Sequence, residues 1–342
     1  MGRAEGVISS AELMGLATRA GFDLAGCARA EPIPPSVLQD WLAAGHHADL
    51  DWMEGRVAER LDVTALLPGA KTVLALACNY WRTDEPSPIA RYARGRDYHA
   101  TLRDRLRNLR RTVRERWPHV KDYGSVDANP VMEKVHAVRA GLGTVGKNAC
   151  FITPRFGSWV VLATMVLDAE VDAYAHPSAA DGEVCGRCRI CLDACPTGAL
   201  VADKVVDARA CLSYQTIENE AAVPEPLRAA MTQITFGCDI CQDVCPLNVT
   251  PVLAQERFAV RPHGSLTARA LAALSQAEWH QVAPGSPLAR AGYDGVRRNA
   301  AYALGAARDA LARPLLERLS ADASQKVAEA ARWALDRLDA KV

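Results

Sequence analysis

Seven of the eleven cysteines in this 342-residue chain lie in two short clusters. The first, CGRCRICLDACP, is the C-x2-C-x2-C-x3-C-P run that holds four-iron, four-sulfur (4Fe-4S) clusters. The second, CDICQDVCP, repeats the ending C-x2-C-x3-C-P without the leading cysteine, which Cys211 in CLSYQTIE can supply. The pattern therefore predicts eight thiolate ligands and two 4Fe-4S clusters.

A proline follows the last cysteine of each run and turns that cysteine toward the other cluster. We therefore predict that each cluster takes three ligands from one part of the chain and a fourth from the other. The ligands are Cys185, Cys188, Cys191 and Cys245 for one cluster, and Cys195, Cys211, Cys238 and Cys241 for the other. A zinc module is the alternative, because four-cysteine sites also bind zinc, but the repeated ending favours iron and sulfur.

The other three cysteines, Cys27, Cys78 and Cys150, stand in apolar, strand-like surroundings, where we expect buried small hydrophobic residues. Hydrophobic residues make up 49% of the chain and charged residues 23%, as in globular proteins of two or three domains. No apolar run approaches the roughly 20 residues of a membrane span, and the N-terminus lacks a signal-peptide pattern. We expect a cytoplasmic monomer that is not bound to a membrane.

Charge gives little information about partners, because 40 lysines and arginines balance 40 acidic residues. Locally, ten arginines between Arg91 and Arg116 form a basic stretch that can attract phosphates.

The residue patterns predict an α+β protein of three parts. Residues 1–175 read as an α/β domain, with a helix over 10–20, strands at LAGCARA and KTVLALAC, and an amphipathic helix from His99 to Trp117. CFITP and SWVVLATMVLD read as a hairpin. Residues 176–252 form the cysteine region. Residues 253–342 read as helical, since VRRNAAYALG and VAEAARWALD recur 31 residues apart like a pair of HEAT-like repeats.

Taken in order along the chain, several segments resemble the epoxyqueuosine reductase family. They are LLPGAKTVLALACNYW, ARYARGRDYHATLRDRLRNL, VDANPVMEK, AGLGTVGKNACFITPRFGSWVVLATMVLD, both cysteine runs, CLSYQTIE and VRRNAAYALG. The resemblance implies a nitroreductase-like α/β domain that binds cobalamin, a ferredoxin-like domain with both clusters, and HEAT-like helices. It also implies the last step of queuosine synthesis, reduction of the epoxide of epoxyqueuosine in a tRNA anticodon loop. Electrons would come from a small carrier such as flavodoxin or ferredoxin.

Asp127 in VDANP matches the proton donor proposed for the family. That role requires a raised pKa, which burial over the corrin would provide. The alternative is a turn aspartate, because Asp-Ala-Asn-Pro is a good turn sequence.

The resemblance also implies cofactor and tRNA contacts. The cobalamin contacts are Arg60, Tyr98, His99, Asp127, Gly143, Lys147, Ser213, Gln242 and Asp243. For Arg60 the alternative is a surface ion pair, and for the last three it is support of the cluster ligands. The tRNA contacts are Arg297, Arg298 and Asn299, with an ordinary solvated helix face as the alternative.

Two segments depart from the family pattern. His47-Ala48 and Trp52 stand in segments where the family shows Gly-His-Gly and Met-x-Tyr-Met, and Glu133-Lys134 replaces Glu-Arg.

Two other functions compete with the implied one. A corrinoid reductase of small molecules, such as a dehalogenase, is disfavoured by the absence of an export signal and by the basic helical tail. An electron-relay subunit does not need an N-terminal domain of about 175 residues.

Overall fold

A computed structural model describes residues 7–83, 85–175, 184–248 and 251–340. The helices are α1 (Ser10–Arg19), α2 (Ser36–Ala43), α3 (Asp51–Glu54), α4 (Val57–Leu61), α5 (Tyr98–Arg116), α6 (Glu133–Arg139), α7 (Ile190–Asp193), α8 (Leu212–Ile217), α9 (Glu225–Arg228), α10 (Ile240–Asp243), α11 (Ala268–Ala273), α12 (Gln276–Val282), α13 (Gly292–Ala306), α14 (Arg313–Leu319) and α15 (Gln325–Asp339). The strands are β1 (Val7–Ile8), β2 (Leu24–Arg29), β3 (Thr72–Asn79), β4 (Asp122–Ser125), β5 (Thr144–Val145), β6 (Phe151–Ile152), β7 (Val160–Leu167), β8 (Glu170–Val171), β9 (Leu200–Ala202) and β10 (Val205–Val206). The prediction of mixed helix and sheet is confirmed. No helix in these ranges combines the length and apolar character that a membrane span requires.

The N-terminal part is built around a four-stranded antiparallel sheet in the order β2-β3-β7-β4. Every residue of the central strand β3 is buried. Leu74 and Leu76 face a core shared with α1 and α5, whereas Val73 and Ala75 face the opposite side of the sheet. Because successive side chains of a strand point to opposite faces, a strand covered on both faces must be apolar throughout. This explains the run TVLALAC.

The predicted hairpin is wrong. Strand β6 pairs with β5, whereas β7 pairs with β3 and β4. A single antiparallel bridge between Thr153 and Gly157 closes the turn, and the two strands then diverge. Asn248 of the cysteine region accepts a hydrogen bond from the amide of Ser158 at 2.8 Å, which directs the chain away from β6.

Helix α5 forms where its apolar stripe predicts it. Leu102, Leu106, Leu109 and Val113 are buried against the sheet. Asp97 caps the helix by accepting the amide of His99 at 2.9 Å. Nine of the ten arginines of the basic stretch make hydrogen bonds or ion pairs within the protein; they are Arg91, Arg94, Arg96, Arg105, Arg107, Arg110, Arg111, Arg114 and Arg116. Most of these arginines are therefore paired with carboxylates of the protein, several of them at the surface, which disfavours the stretch as a phosphate-binding surface.

The two sequence-related segments of the C-terminal part lie on α13 and α15, which pack against each other. Tyr302 and Trp333, which align in the repeat, meet edge to face with ring centroids 5.6 Å apart. Gly305 is required here, because a Cβ at that position would lie 2.6 Å from the Cα of Ala334. The helices share one core with Leu212 and Phe236 of the cysteine region. Packing therefore continues across the predicted boundary at residue 252.

The three residues predicted to contact tRNA lie in the joint between α13 and the cysteine region. Arg298 is 1% exposed and donates to the carbonyl oxygens of Gln215, Asn219 and Ala221 at 3.1, 2.9 and 2.5 Å. Asn299 is fully buried and donates to the backbone carbonyl oxygens of Thr216 and Thr235 at 2.8 and 2.9 Å. Arg297 is buried and paired with Asp322. This burial excludes an ordinary solvated helix face and disfavours a phosphate contact, because the three side chains are occupied by partners within the protein.

Replacement of Arg298 with alanine is expected to lower the free energy of unfolding by about 3 kcal/mol or more. The change leaves the buried carbonyl group of Gln215 and the part-buried ones of Asn219 and Ala221 without this donor, and a buried group left unpaired costs roughly 1–3 kcal/mol. Arg318→Ala is the matched control, since that exposed side chain donates within its own helix to Pro314 at 3.2 Å. Thermal unfolding of the two variants measures the difference. Equal unfolding temperatures would contradict a structural role for Arg298.

Candidate functional site

A cavity of about 1210 Å³ opens beside one end of the sheet. Its wall combines segments that are distant in the sequence: α2 to α4, the start of α5, the loop before α6, β7, β10 and the segment before α13. Ordinary small-molecule pockets have volumes of roughly 300–1,000 Å³, so this cavity suits a larger ligand. Arg60, Tyr98 and Asp127 line it, as the sequence predicts.

Asp127 is the centre of a hydrogen-bonded group at the mouth of this cavity. The Tyr98 hydroxyl donates to Oδ2 of Asp127, and Nε2 of His99 lies 3.0 Å from the same oxygen. Nδ1 of His99 in turn lies 2.8 Å from Asp97, and its ring stacks on Tyr98 with centroids 4.1 Å apart. The Asp127 side chain is 57% exposed. One oxygen of a cavity-facing carboxyl group is thus connected through an imidazole to a second carboxyl group.

The proton of this group resides on the imidazole. Burial alone lowers the pKa of His99, but its hydrogen bonds with Asp127 and Asp97 outweigh burial and raise the pKa to about 9. Burial alone raises the pKa of Asp127, but hydrogen bonds from His99 and Tyr98 outweigh it, so that pKa lies below its usual value. The raised pKa expected for Asp127 depends on burial over the corrin, and in the protein by itself these hydrogen bonds lower that pKa instead.

A second carboxyl group supports the Asp127 loop from behind. Oε1 of Glu133 accepts the Ser125 hydroxyl at 2.9 Å and the Asp127 amide at 3.2 Å. Burial raises the pKa of Glu133 to about 8. Asp127 itself has a left-handed backbone with φ of 53°, which aspartate tolerates better than most residues. Glu133 therefore helps to hold the loop in this uncommon conformation.

Arg60 lies in the cavity wall, where its Nη2 makes a hydrogen bond and its Nε makes none with the described residues. Its Nη2 donates to the carbonyl oxygen of Trp52 at 3.0 Å. Its Nε is buried and has no hydrogen-bond partner among the described residues. A buried donor without an acceptor is costly, so this atom is suited to bind an acceptor group of a ligand in the cavity.

The structure does not place the other implied cobalamin contacts on this wall. Gly143 allows β5 to approach β6, because a Cβ there would lie 2.1 Å from the carbonyl oxygen of Ile152. Lys147 lies beside the cysteines and pairs with Asp203 at 3.3 Å. Ser213 follows Cys211 at the start of α8.

Gln242 and Asp243 connect the cysteine region to the N-terminal part. Gln242 accepts a hydrogen bond from Ser158 at 2.9 Å, and Asp243 pairs with Arg91. These contacts favour the alternative that the residues support the clusters.

The two predicted ligand sets occupy different places in the structure. Cys185, Cys188, Cys191 and Cys245 line one small cavity of about 60 Å³. The thiols of Cys195, Cys211, Cys238 and Cys241 lie close enough to influence one another electrostatically. Nowhere in the described ranges do three His, Cys, Asp or Glu side chains converge tightly enough for a single metal ion. The first set surrounds a small space instead of meeting at a point.

The remaining cysteines divide into two kinds. Cys27 and Cys78 are buried, as predicted. Cys78 also accepts a hydrogen bond from Arg105 at 2.8 Å. Cys150 is only half-buried, and its thiol hydrogen-bonds with that of Cys241. Cys150 is therefore a neighbour of a predicted ligand, which its apolar sequence surroundings did not indicate.

Sequence reasoning missed part of the cavity wall. Trp52, Glu133 and Lys134 line it, and all three fall in the segments where the chain departs from the family pattern. Those departures were the available signal. Arg290 also lines the wall, but a lone arginine before α13 carries no signal in sequence.

Comparison with known proteins agrees with this geometry. A family model described as "Epoxyqueuosine reductase QueG, DUF1730" matches residues 60–128, which contain Arg60, Tyr98, His99 and Asp127. A model described as "4Fe-4S double cluster binding domain" matches residues 184–248. A relative from Gloeobacter violaceus named epoxyqueuosine reductase is 40% identical over 324 residues, 89% of this chain and 98% of the relative. The chain belongs to the epoxyqueuosine reductase family.

Other members of the epoxyqueuosine reductase family show the same extent of similarity. The Pseudomonas aeruginosa enzyme is 38% identical over 88% of this chain and 86% of its own length. A crystal structure of epoxyqueuosine reductase with an epoxyqueuosine-modified tRNA-Tyr stem loop has a TM-score of 0.88 at 28% identity, and the match covers 96% of this chain and 89% of that one. A Bacillus subtilis epoxyqueuosine reductase, solved with its catalytic aspartate loop swung out of the active site, has a TM-score of 0.84 at 28% identity, covering 96% and 90%.

Proposed function

We propose that this chain reduces the epoxide of epoxyqueuosine in a tRNA anticodon loop to the alkene of queuosine. Family membership and the solved relative with a modified stem loop support this function. The observation that carries it is the group formed by Asp127, His99 and Tyr98 at the mouth of a cavity of about 1210 Å³. The reaction breaks two C–O bonds and forms one C=C bond. It consumes two electrons and two protons, and the oxygen leaves as water.

Two 4Fe-4S clusters and cobalamin are the cofactors that this function requires. The two cysteine sets provide four thiolates for each cluster. The cavity is larger than an ordinary small-molecule pocket, as a ligand of the size of cobalamin requires, and Arg60 and Tyr98 in its wall would hold that cofactor. When bound, cobalamin supplies the electrons that open the epoxide.

The residues around Asp127 supply the protons. The oxygen leaving the epoxide develops negative charge and must be protonated, or an alkoxide would accumulate. Asp127 is exposed to the cavity. Nε2 of His99, which carries a proton, lies 3.0 Å from Oδ2 of Asp127. The proton passes from Nε2 of His99 to Asp127 and from there to the leaving oxygen. The second proton follows the same route after His99 is reprotonated.

The rate is expected to fall as pH rises through about 9, because His99 then loses its proton. The raised pKa of His99 also affects the stability of the fold. The stabilisation from protonated His99 is fully present below the usual pKa of 6.5 and is lost as the pH rises through about 9. Single-turnover rates of the pre-reduced protein between pH 6 and pH 10 measure the effect. His99→Gln should be slow and should lack this alkaline decline. A decline that persists unchanged in His99→Gln would contradict the assignment.

The proposed function is tested by nucleoside mass spectrometry of tRNA from cells that lack this gene, with and without the restored gene. We expect a nucleoside one oxygen heavier than queuosine in the deletion and queuosine after restoration. Unchanged queuosine in a deletion strain with no other enzyme for this step would reject the proposal. Four other features stay predictions: a small-carrier electron donor, a monomeric state, a cytoplasmic location and the bounds of the three domains.

A further inference from the structure

Trp52 occupies an unusual position for a large aromatic side chain. It lies on the short helix α3 at the rim of the large cavity, and 48% of it is exposed. The guanidinium carbon of Arg290 lies 5.2 Å from the centroid of its ring, and Arg290 lines the same cavity. Single exposed apolar residues are common on protein surfaces. A tryptophan stacked with an arginine at the opening of a candidate active site requires a more specific explanation.

The pair is held in place from both sides. Arg60 donates to the carbonyl oxygen of Trp52 at 3.0 Å, which fixes the backbone of α3. Nε of Arg290 donates to both oxygens of Glu218 at 3.1 and 3.0 Å, and its Nη2 donates to Glu218 at 2.8 Å. A carboxylate bonded in this manner fixes the plane of the guanidinium group. Three distant segments thus hold the Trp52 ring and the Arg290 guanidinium group next to each other.

The charge of this surface indicates what it binds. Glu218 neutralises Arg290, so the pair offers a flat face and not an unpaired cation for a phosphate. Unpaired bases stack on aromatic side chains and on arginine planes, whereas phosphates are bound chiefly by charge. Arg290 also lies close enough to Asp127 to interact with it electrostatically, so both border the same opening.

We propose that Trp52 and Arg290 form a stacking platform for an unpaired base next to the modified nucleotide of the anticodon loop. This proposal rests on the proposed function, because the modified nucleotide itself must reach Asp127. The platform then holds its neighbour at the rim and fixes how the epoxide enters the cavity. The platform increases the affinity for the anticodon loop and fixes the register of the loop on the protein. It does so without contacts to the phosphate backbone.

The test compares the cofactor-loaded Trp52→Ala, Trp52→Phe and Arg290→Lys variants with the wild type. Fluorescence anisotropy measures the Kd of an anticodon stem loop that carries epoxyqueuosine, at several salt concentrations. Loss of one stacked base should weaken binding by roughly 10- to 100-fold. Trp52→Phe should keep most of the wild-type affinity, because an aromatic ring remains at this position. Arg290→Lys should weaken binding, because lysine keeps the charge and loses the plane. The dependence of log Kd on log salt should not change, since no phosphate contact is lost.

Leu311→Ala is the matched control, because Leu311 is the most exposed of the large hydrophobic residues described, at 76%. Its Kd should equal that of the wild type. Wild-type affinity in Trp52→Ala would overturn the proposal. The proposal would also be overturned if Trp52→Ala lost its cobalamin absorbance while its affinity for the loop stayed unchanged, because Trp52 would then be a corrin contact. Conversion of epoxyqueuosine by the wild type in the same preparation tests the proposed function separately.

Discussion

Replacement of Cys211 with serine is expected to lower the iron content from about eight atoms per chain to about four. Cys211 lies outside both cysteine runs, and its thiol lies near those of Cys195, Cys238 and Cys241. Without it one cluster lacks its fourth thiolate, and the path for electrons is broken. We expect most of the turnover with a protein electron donor to be lost, because electrons then have no complete path to the active site. Iron analysis and the visible absorption of the purified protein measure the loss.

The control for this prediction is Cys27→Ala, which removes a buried thiol on β2 far from both sets. Its iron content and turnover should equal those of the wild type. Cys188→Ser should lose about four iron atoms as well, but from the other cluster. Retention of about eight iron atoms in Cys211→Ser would contradict the ligand assignment. Cys150, whose thiol contacts Cys241, would then be the residue to test as the fourth ligand.

Replacement of Asp127 with asparagine is expected to slow the single-turnover rate by roughly 10²- to 10⁴-fold, the usual contribution of a positioned proton donor. Asparagine has the same shape and tolerates the left-handed backbone at this position, so the loop should keep its conformation. It still accepts hydrogen bonds from Tyr98, but it does not pass a proton from His99 to the leaving oxygen. Rapid-quench analysis of tRNA nucleosides with pre-reduced protein measures the rate.

The matched control for Asp127 is Asp336→Asn, which alters an exposed carboxylate on α15. Its rate should equal that of the wild type. Cobalamin content and stem-loop affinity should stay unchanged in both variants, since a transfer defect affects the rate and not the binding. An Asp127→Asn protein that turns over at the normal rate would show that the proton reaches the epoxide by another route, with Tyr98 the nearest candidate.

The local structure of this protein follows closely from its sequence. The apolar run of β3 and the stripe of Leu102, Leu106 and Leu109 on α5 each predict an element whose observed bounds differ by only a residue or so. The pairing of strands was less predictable. Strand β7 follows β6 across a tight turn, yet it pairs with β3 on one edge and with β4 on the other, and β6 pairs with β5. Side-chain periodicity determines which face is buried, but not which strand covers it.

The sequence by itself indicated the family and predicted the cluster ligands. Cysteine spacing acts over a few residues, where chain geometry leaves few alternatives, so the spacing predicts the ligand sets directly. The tertiary structure alone decided the rest of the site. It buried Arg298 and Asn299 in a joint between regions and brought Arg290 to Trp52 across more than half of the chain. It also raises the pKa of His99 and lowers that of Asp127, since a pKa depends on neighbours in space and not on neighbours in sequence.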